Sequence, residues 1–465
     1  VKIGFLGNAN NYPFILARAL QRLGQEIVFI LMGDQTCPLD RPENRYPDLG
    51  PPYPEWIVDA SPLDLWNYEA KLPRLENVLR ILRGCDAVVL NHQALCLAPG
   101  INRPTIALLT GTDILTLGKY EVVDHMVNYP GRTYVKEVEL FYLKRVFAQR
   151  LGIRSAFLVI FFPPGTIPQG DAILAGLGVQ DSQRLSLKMV EVASLLPVPP
   201  PLNNPVRFFC ATRLTWDKSH PPFYTDIDYK GSDIMVRGLG MFARMRPDIS
   251  LDIHLVKKGA HVTETMELAE AEGLGPCVTW HEEMSQMEIW EQFKRSDIIF
   301  EQLDTSDIGM AGLDAMAMER PVIGHERYRA SQSGANQPSP VCEASTPEEV
   351  CAQLQRLVLD TEERHRVGKA SRRYVESNFS ADLAAQTVMD RLTTFCAGNK
   401  KFPLTKEYSV LEATYRELDL DYAAEFQQRL WEAENRLEKF EGLMNRLPAF
   451  VKTLVDKFLK LKSPS

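Results

Sequence analysis

Apolar and polar positions follow two rhythms along this chain, and the rhythms take turns. The opening "KIGFLG" is a short unbroken apolar run, as in a strand covered on both faces. "YPFILARALQRLG" follows with apolar residues three and four apart, the spacing of an amphipathic helix, and "EIVFIL" is apolar again. Strand, helix, strand in that order predicts parallel strands joined by a crossover. "CDAVVLN" and "PTIALLTG" continue the series, whereas 114–180 is mostly helical in period and its strands are not placed by pattern. "LLPVPPPLNNP" (195–205) holds too much proline for a helix or a central strand and reads as a linker.

After the linker the alternation restarts. "VRFFCATRL", "LDIHLVKKG", "CVTWHEE", "SDIIFEQL" and "RPVIGHE" read as strands. "SDIMVRGLGMFARMRP", "TETMELAEAEG", "MEIWEQFKR" and "AGLDAMAM" are the helices between them. A pair of helices, the first opening on Thr-Pro-Glu-Glu at Thr346, closes the series. The expected division is a Rossmann-like unit over 1–195, a second over 196–398 and a helical tail over 399–465. In the tail, Phe450, Val451, Leu454, Val455, Phe458 and Leu461 share one side, with Lys452, Lys457, Lys460 and Lys462 elsewhere. Such a helix suits packing, self-association or an anionic membrane surface.

A length of 465 residues allows two or three domains, each with a core of its own. A net charge of -8 argues against a general nucleic-acid binder. The eight cysteines have no C-x-x-C or zinc spacing, and the histidines no H-x3-H pair, so no metal site is expected. Several cysteines sit in apolar runs, as buried thiols of a reducing compartment do. No run reaches the roughly 18 apolar residues of a membrane span. The chain opens directly on a strand, leaving no room for a leader, and the expectation is a cytoplasmic protein, peripheral to a membrane at most.

The candidate chemistry gathers in the second series. Arg213 at the end of one strand and Lys230 at a helix start supply a fork and a point charge suited to a diphosphate. "SDIGMAGLDAMAMERPVIG" (306–324) follows an apolar strand with a glycine turn and a helix start, where free N–H groups meet anions. Gly309 lets backbone come near such a group, and the N–H groups of Met310, Ala311, Gly312 and Leu313 point at it. In the first series, Gly7 and Asn8 at the turn of "GFLGNANN" face the same crevice from the other side. Read instead as a dinucleotide fingerprint with Asp34 on a ribose, that turn falls short of G-x-G-x-x-G. His92 follows another strand end.

From these residues the chain resembles a family 4 glycosyltransferase, a retaining enzyme of GT-B fold with two Rossmann-like domains facing a cleft. "KGSD", "LAEAEGLGPCVTWHEEM" and "SDIGMAGLDAMAMERPVIG" carry the likeness, and "GFLGNANNYPFILARALQRLGQEI" resembles the family's acceptor-domain opening. The resemblance implies hexosyl transfer from a UDP- or GDP-sugar to a glycan, lipid-linked or protein acceptor, with no cofactor and no metal. It implies that Arg213 and Lys230 take the diphosphate charge, with Lys218 at the more usual spacing. Asp314 stands for the acid that grips the ribose, and the base lies near Glu283 and Met284. The acid that contacts the sugar falls on Ser306, with Asp307 beside it. "LLTGTDI" resembles the family's H-G-x-D stretch, with Thr110 in place of histidine and Asp113 retained. These substitutions leave a second reading open, a catalytically silent GT-B subunit that binds nucleotide or holds a partner; a nucleotide-sugar epimerase is a weaker third.

Overall fold

The computed structural model describes residues 1–32, 40–67, 75–127, 136–218, 228–305, 307–326 and 338–398. Asp34, Ser306 and the tail 399–465 lie outside the described residues.

Two parallel sheets carry the chain. The first holds β1 (Lys2–Leu6), β2 (Glu26–Leu31), β3 (Ile57–Asp59), β4 (Ala87–Asn91), β5 (Thr105–Leu108), β6 (Leu158–Ile160) and β7 (Arg184–Leu185), in the order 3-2-1-4-5-6-7. The second holds β8 (Val206–Cys210), β9 (Leu251–Val256), β10 (Val278–His281), β11 (Ile298–Phe300), β12 (Val322–Gly324) and β13 (Cys342–Glu343), in the order 10-9-8-11-12-13. Every strand pair is parallel, with Gly4 opposite both Val28 and Val88, and Phe209 opposite both His254 and Ile299. The strands are short and apolar because helices cover both faces. Leu6, Val88 and Leu90 join one core of the first sheet, and Phe5, Phe29 and Val89 the other.

The region that pattern left unplaced contains the helix Lys136–Ser155, then β6, drawn from "SAFLVIFFPPG". Two tiny strands, β7 and β13, are too short to show a period. The closing helices number three: Pro347–Leu359, capped by Thr346; Thr361–Asn378, capped by Asp360; and Ala381–Gly398. The last of these packs away from the second sheet. Ala381, Ala384, Ala385, Val388 and Leu392 pack with Phe14 and Leu16 in the core of the first sheet, so the chain returns to its first half before residue 398. Five of the seven described cysteines are buried.

The proline-rich segment is tied down by a buried arginine. Arg320, wholly buried, donates to the carbonyls of Val198 (3.0 Å), Phe293 (2.8 Å) and Lys294 (3.0 Å). Burial pushes its pKa down to about 10. The arginine of "RPVIG" thus clamps the crossover to the second half. Just upstream, Val190 pairs with the returning chain, its N–H donating to Phe379 O at 2.7 Å. Glu191 beside it accepts from Tyr46 Oη (2.5 Å) and Arg22 (2.6 Å), and Arg22 also reaches Asp382 at 2.8 Å.

Burial opposes the ionisation of Glu191, but Tyr46 and Arg22 outweigh it and hold its pKa below the usual 4.5. A carboxylate so depressed stabilises the fold above its ordinary pKa, and that contribution is lost as pH falls through the lowered value. Tyr46→Phe should therefore lower the melting temperature at neutral pH. Thermal melts across pH should show the gap to the parent protein closing as the pH drops below 4.5.

Candidate functional site

Both sheets reverse their strand order once, between β1 and β4 and between β8 and β11. Loops leaving two adjacent strands in opposite directions open a crevice at the strands' C-terminal ends, where open α/β sheets take ligands. At the second reversal, β8 stops at Cys210 and Arg213 lies three residues beyond it, in the loop. The chain returns to the helix Ser232–Met245 through Lys230 and Gly231. Gly231 holds φ 68°, and a Cβ there would lie 2.9 Å from Asp304 N, so only glycine brings the two loops this close. Lys230 Nζ donates to Gln302 Oε1 at 2.8 Å. Burial pushes its pKa below the lysine range; the Glu301 carboxylate opposes that and the Arg213 guanidinium adds to it. Arg213, 42% exposed, pairs with Asp228 at 2.8 Å. Lys218, 59% exposed, is beside the same turn, 2.8 Å from Asp304.

Glu301 and Gln302, which no motif singled out, follow β11 at this reversal and are both buried. The buried Glu301 accepts from the N–H groups of Gln302 (2.8 Å) and Gly309 (3.1 Å), and burial pushes its pKa up. Two polar residues ending the apolar run "SDIIFEQL" were the available signal. Gly309 has ordinary extended backbone, but a Cβ on it would lie 2.5 Å from Glu301 Oε1. The space over Gly309, expected to let a diphosphate approach, is therefore taken by Glu301, which also holds the Gly309 N–H. The next N–H groups, of Met310, Ala311 and Gly312, open the helix Met310–Ala317 and have no partner inside it. Gly309, Met310 and Ala311 are half-buried, so this helix start meets the crevice, whereas Gly312 and Leu313 are buried.

The acids are more enclosed than the motif suggests. Asp314 is 1% exposed. Its Oδ2 accepts from Trp290 Nε1 (3.0 Å) and Gln286 (3.3 Å) and lies 3.5 Å from Arg45, whose guanidinium stacks 4.8 Å from the Trp290 ring. Burial pushes its pKa up, against the pull of Arg45. Asp307 is 5% exposed at its side chain and 2.6 Å from Lys188. Arg45 and Lys188 both come from the first half, so each described acid of the motif is held by a cation from across the molecule. Neither cation lies in a motif, and nothing in the local sequence marks it. Glu283 is exposed and 3.3 Å from Lys258, while Met284 packs beside Trp290.

At the first reversal, Gly7 lies against the Asn91 carbonyl. The Asn8 amide serves the fold: it donates to Asn11 (2.7 Å) and Asp40 O (2.8 Å) and accepts from Phe14 N–H (3.2 Å). His92, Thr110 and Asp113 come together at the ends of β4 and β5. Asp113 accepts from the N–H groups of Thr110 (2.8 Å) and Gly111 (3.0 Å). Burial raises its pKa, against those bonds. Gln149 ties the group by donating to the carbonyls of His92 (2.8 Å) and Asp113 (3.0 Å). Among the described residues no cluster of histidine, cysteine and carboxylate has the geometry of a metal site.

Residues 228–374 match the family model described as glycosyl transferases group 1. No curated protein matches the chain. Among solved structures, HepE of Anabaena, crystallised with UDP and glucose, is similar at 14% identity and a TM-score of 0.54 over 84% of this chain and 99% of its own. Sucrose-phosphate synthase of Thermosynechococcus elongatus gives 14% and 0.51 over 86% and 100%. A glycosyltransferase of Rickettsia africae gives 13% and 0.54 over 84% and 96%. At these identities the likeness is one of fold, and the fold is GT-B: two Rossmann-like parallel sheets with flanking helices. No described helix is long and apolar enough to cross a membrane.

Removing one partner of a buried ion pair strands the other. Arg45→Ala should cost about 3 kcal/mol, whereas Lys218→Ala, at an exposed pair, should cost less than about 1 kcal/mol. Denaturant titrations compare the two. Because an acid with a raised folded pKa destabilises as pH rises past its ordinary value, the Arg45→Ala deficit should be smallest in acid and grow towards neutrality.

Proposed function

We propose that this protein is a retaining glycosyltransferase that moves a hexosyl group from a UDP- or GDP-sugar to a glycan, lipid-linked or protein acceptor. The observation that carries the reading is the pairing of Lys230 and Arg213 beside the half-buried start of the helix Met310–Ala317. All but Arg213 lie inside the segment that matches glycosyl transferases group 1. The UDP and UDP-glucose complexes of the structurally similar HepE support a nucleotide-sugar donor.

In this reading the two cations and the first-turn N–H groups take the charge that develops on the leaving diphosphate. That electrostatic work requires no metal ion, so transfer should survive a chelator. The base lies along backbone near Glu283 and Met284. Asp314 meets the ribose once Arg45 withdraws from it, and Ser306 or Asp307 faces the sugar. The group formed by His92, Thr110 and Asp113, at the end of the first sheet, lines the acceptor side. Closure of the halves excludes water and protects the donor from hydrolysis. The tail 399–465 is assigned to self-association or to an anionic membrane surface, with the protein in the cytoplasm.

The enclosure of Asp307 and Asp314 in ion pairs favours a second reading, a GT-B subunit that binds nucleotide without transferring sugar. Calorimetric titration of UDP, GDP and ADP in chelator should give micromolar binding of one nucleotide, lost in Arg213→Ala and Lys230→Ala. Turnover of the matching sugar nucleotide with an acceptor panel then separates enzyme from silent subunit, and no binding of any nucleotide rejects the donor site. Lysine must be protonated to hold a phosphate, and Lys230 is below the usual 10.5. Affinity should therefore fall on the alkaline side before an ordinary lysine would titrate.

A further inference from the structure

Lys188 leaves the first half just after β7 and enters the second. Its side chain is 8% exposed, with Nζ 2.6 Å from Asp307 Oδ1, and it also donates to the Ile308 carbonyl. The neighbouring groups are held as firmly. The carbonyl of Asp307 accepts from Gln302 Nε2, and Gly309 N–H donates to Glu301 Oε2 at 3.1 Å. Three consecutive residues leading into the helix Met310–Ala317 are thus each fastened by a buried polar group. One of those groups, Lys188, belongs to the other half of the molecule. Gln302 also receives Lys230 at 2.8 Å, so one connected network runs from Lys230 through Gln302 and Asp307 to Lys188.

We propose that Lys188 is a positioning residue for the donor site, an inference that rests on the nucleotide-sugar reading above. It neutralises Asp307 and holds the Ile308 carbonyl, which aims the N–H groups of Met310 and Ala311 at the diphosphate. Without it, a buried carboxylate stands uncompensated a few residues from the incoming anion. Such a group either draws the turn out towards water or repels the ligand. Because Lys188 follows a strand of the first sheet, the donor site takes its working shape only when the two halves are seated together.

The test is calorimetric titration of UDP, GDP and ADP into the parent protein, Lys188→Met, Lys188→Arg, Asp307→Asn and the double variant Lys188→Met/Asp307→Asn. Lys188→Met should weaken the preferred nucleotide at least about tenfold, as loss of a buried charge partner implies. Lys188→Arg should recover most of that loss. The double variant should bind better than Lys188→Met alone, because its carboxylate is gone; a merely structural role would make the two losses add. If Lys188→Met does not fold, the double variant decides, since it buries no unpaired charge. A double variant that also fails to fold, or one that binds no better than Lys188→Met, overturns the proposal. So does a parent protein that binds while Lys188→Met binds equally well. If the parent binds none of the three nucleotides, the donor reading itself falls, a result distinct from either.

Discussion

Buried charge is the constraint on which the rest of this structure depends. A carboxylate or guanidinium taken out of water must find a partner, and here two of the buried pairs join opposite halves of the chain while a third ties down the crossover. Lys188 meets Asp307, Arg45 meets Asp314, and Glu191 on the crossover gathers Tyr46 and Arg22. Each contact carries a positional demand that apolar packing alone would not impose, because an ion pair loses its value when its partners slide apart. The relative seating of the two sheets and the shape of the crevice between them are therefore the same problem.

The crevice is built where strand order reverses, and its polar groups are layered. Glu301 at the end of β11 occupies the N–H of Gly309 and the space above it, leaving the next turn of backbone to face outward. Gln302 joins Lys230 on one side to Asp307 on the other. A cation of lowered pKa, a carboxylate of raised pKa and a helix start thus lie within one small volume. In the first half, His92, Thr110 and Asp113 form a second polar group whose members bond chiefly to backbone, which gives it a fixed shape.

Strand and helix periodicity determined much of this protein by itself. Unbroken apolar runs and period-3.6 runs depend on neighbours a few residues apart, so the long elements of both sheets and the proline-rich crossover were legible in order. Lys230, Gly231 and the 306–324 stretch were legible too, because a turn between a strand and a helix leaves a local signature. Strands of two residues, β7 and β13, leave none, since two positions cannot show a period.

Tertiary structure alone decided what touches those local features. That Glu301 fills the space over Gly309, that Asp314 is roofed by Trp290 and Arg45, and that Lys188 crosses between halves all depend on contacts that no periodicity specifies, from 8 residues apart to more than two hundred. The return of Ala381–Gly398 to the first sheet is of the same kind: its apolar face reads as a core face in sequence, but not as the face of a particular core. Local pattern specifies that a side chain must be buried or paired; only the packed chain specifies with what.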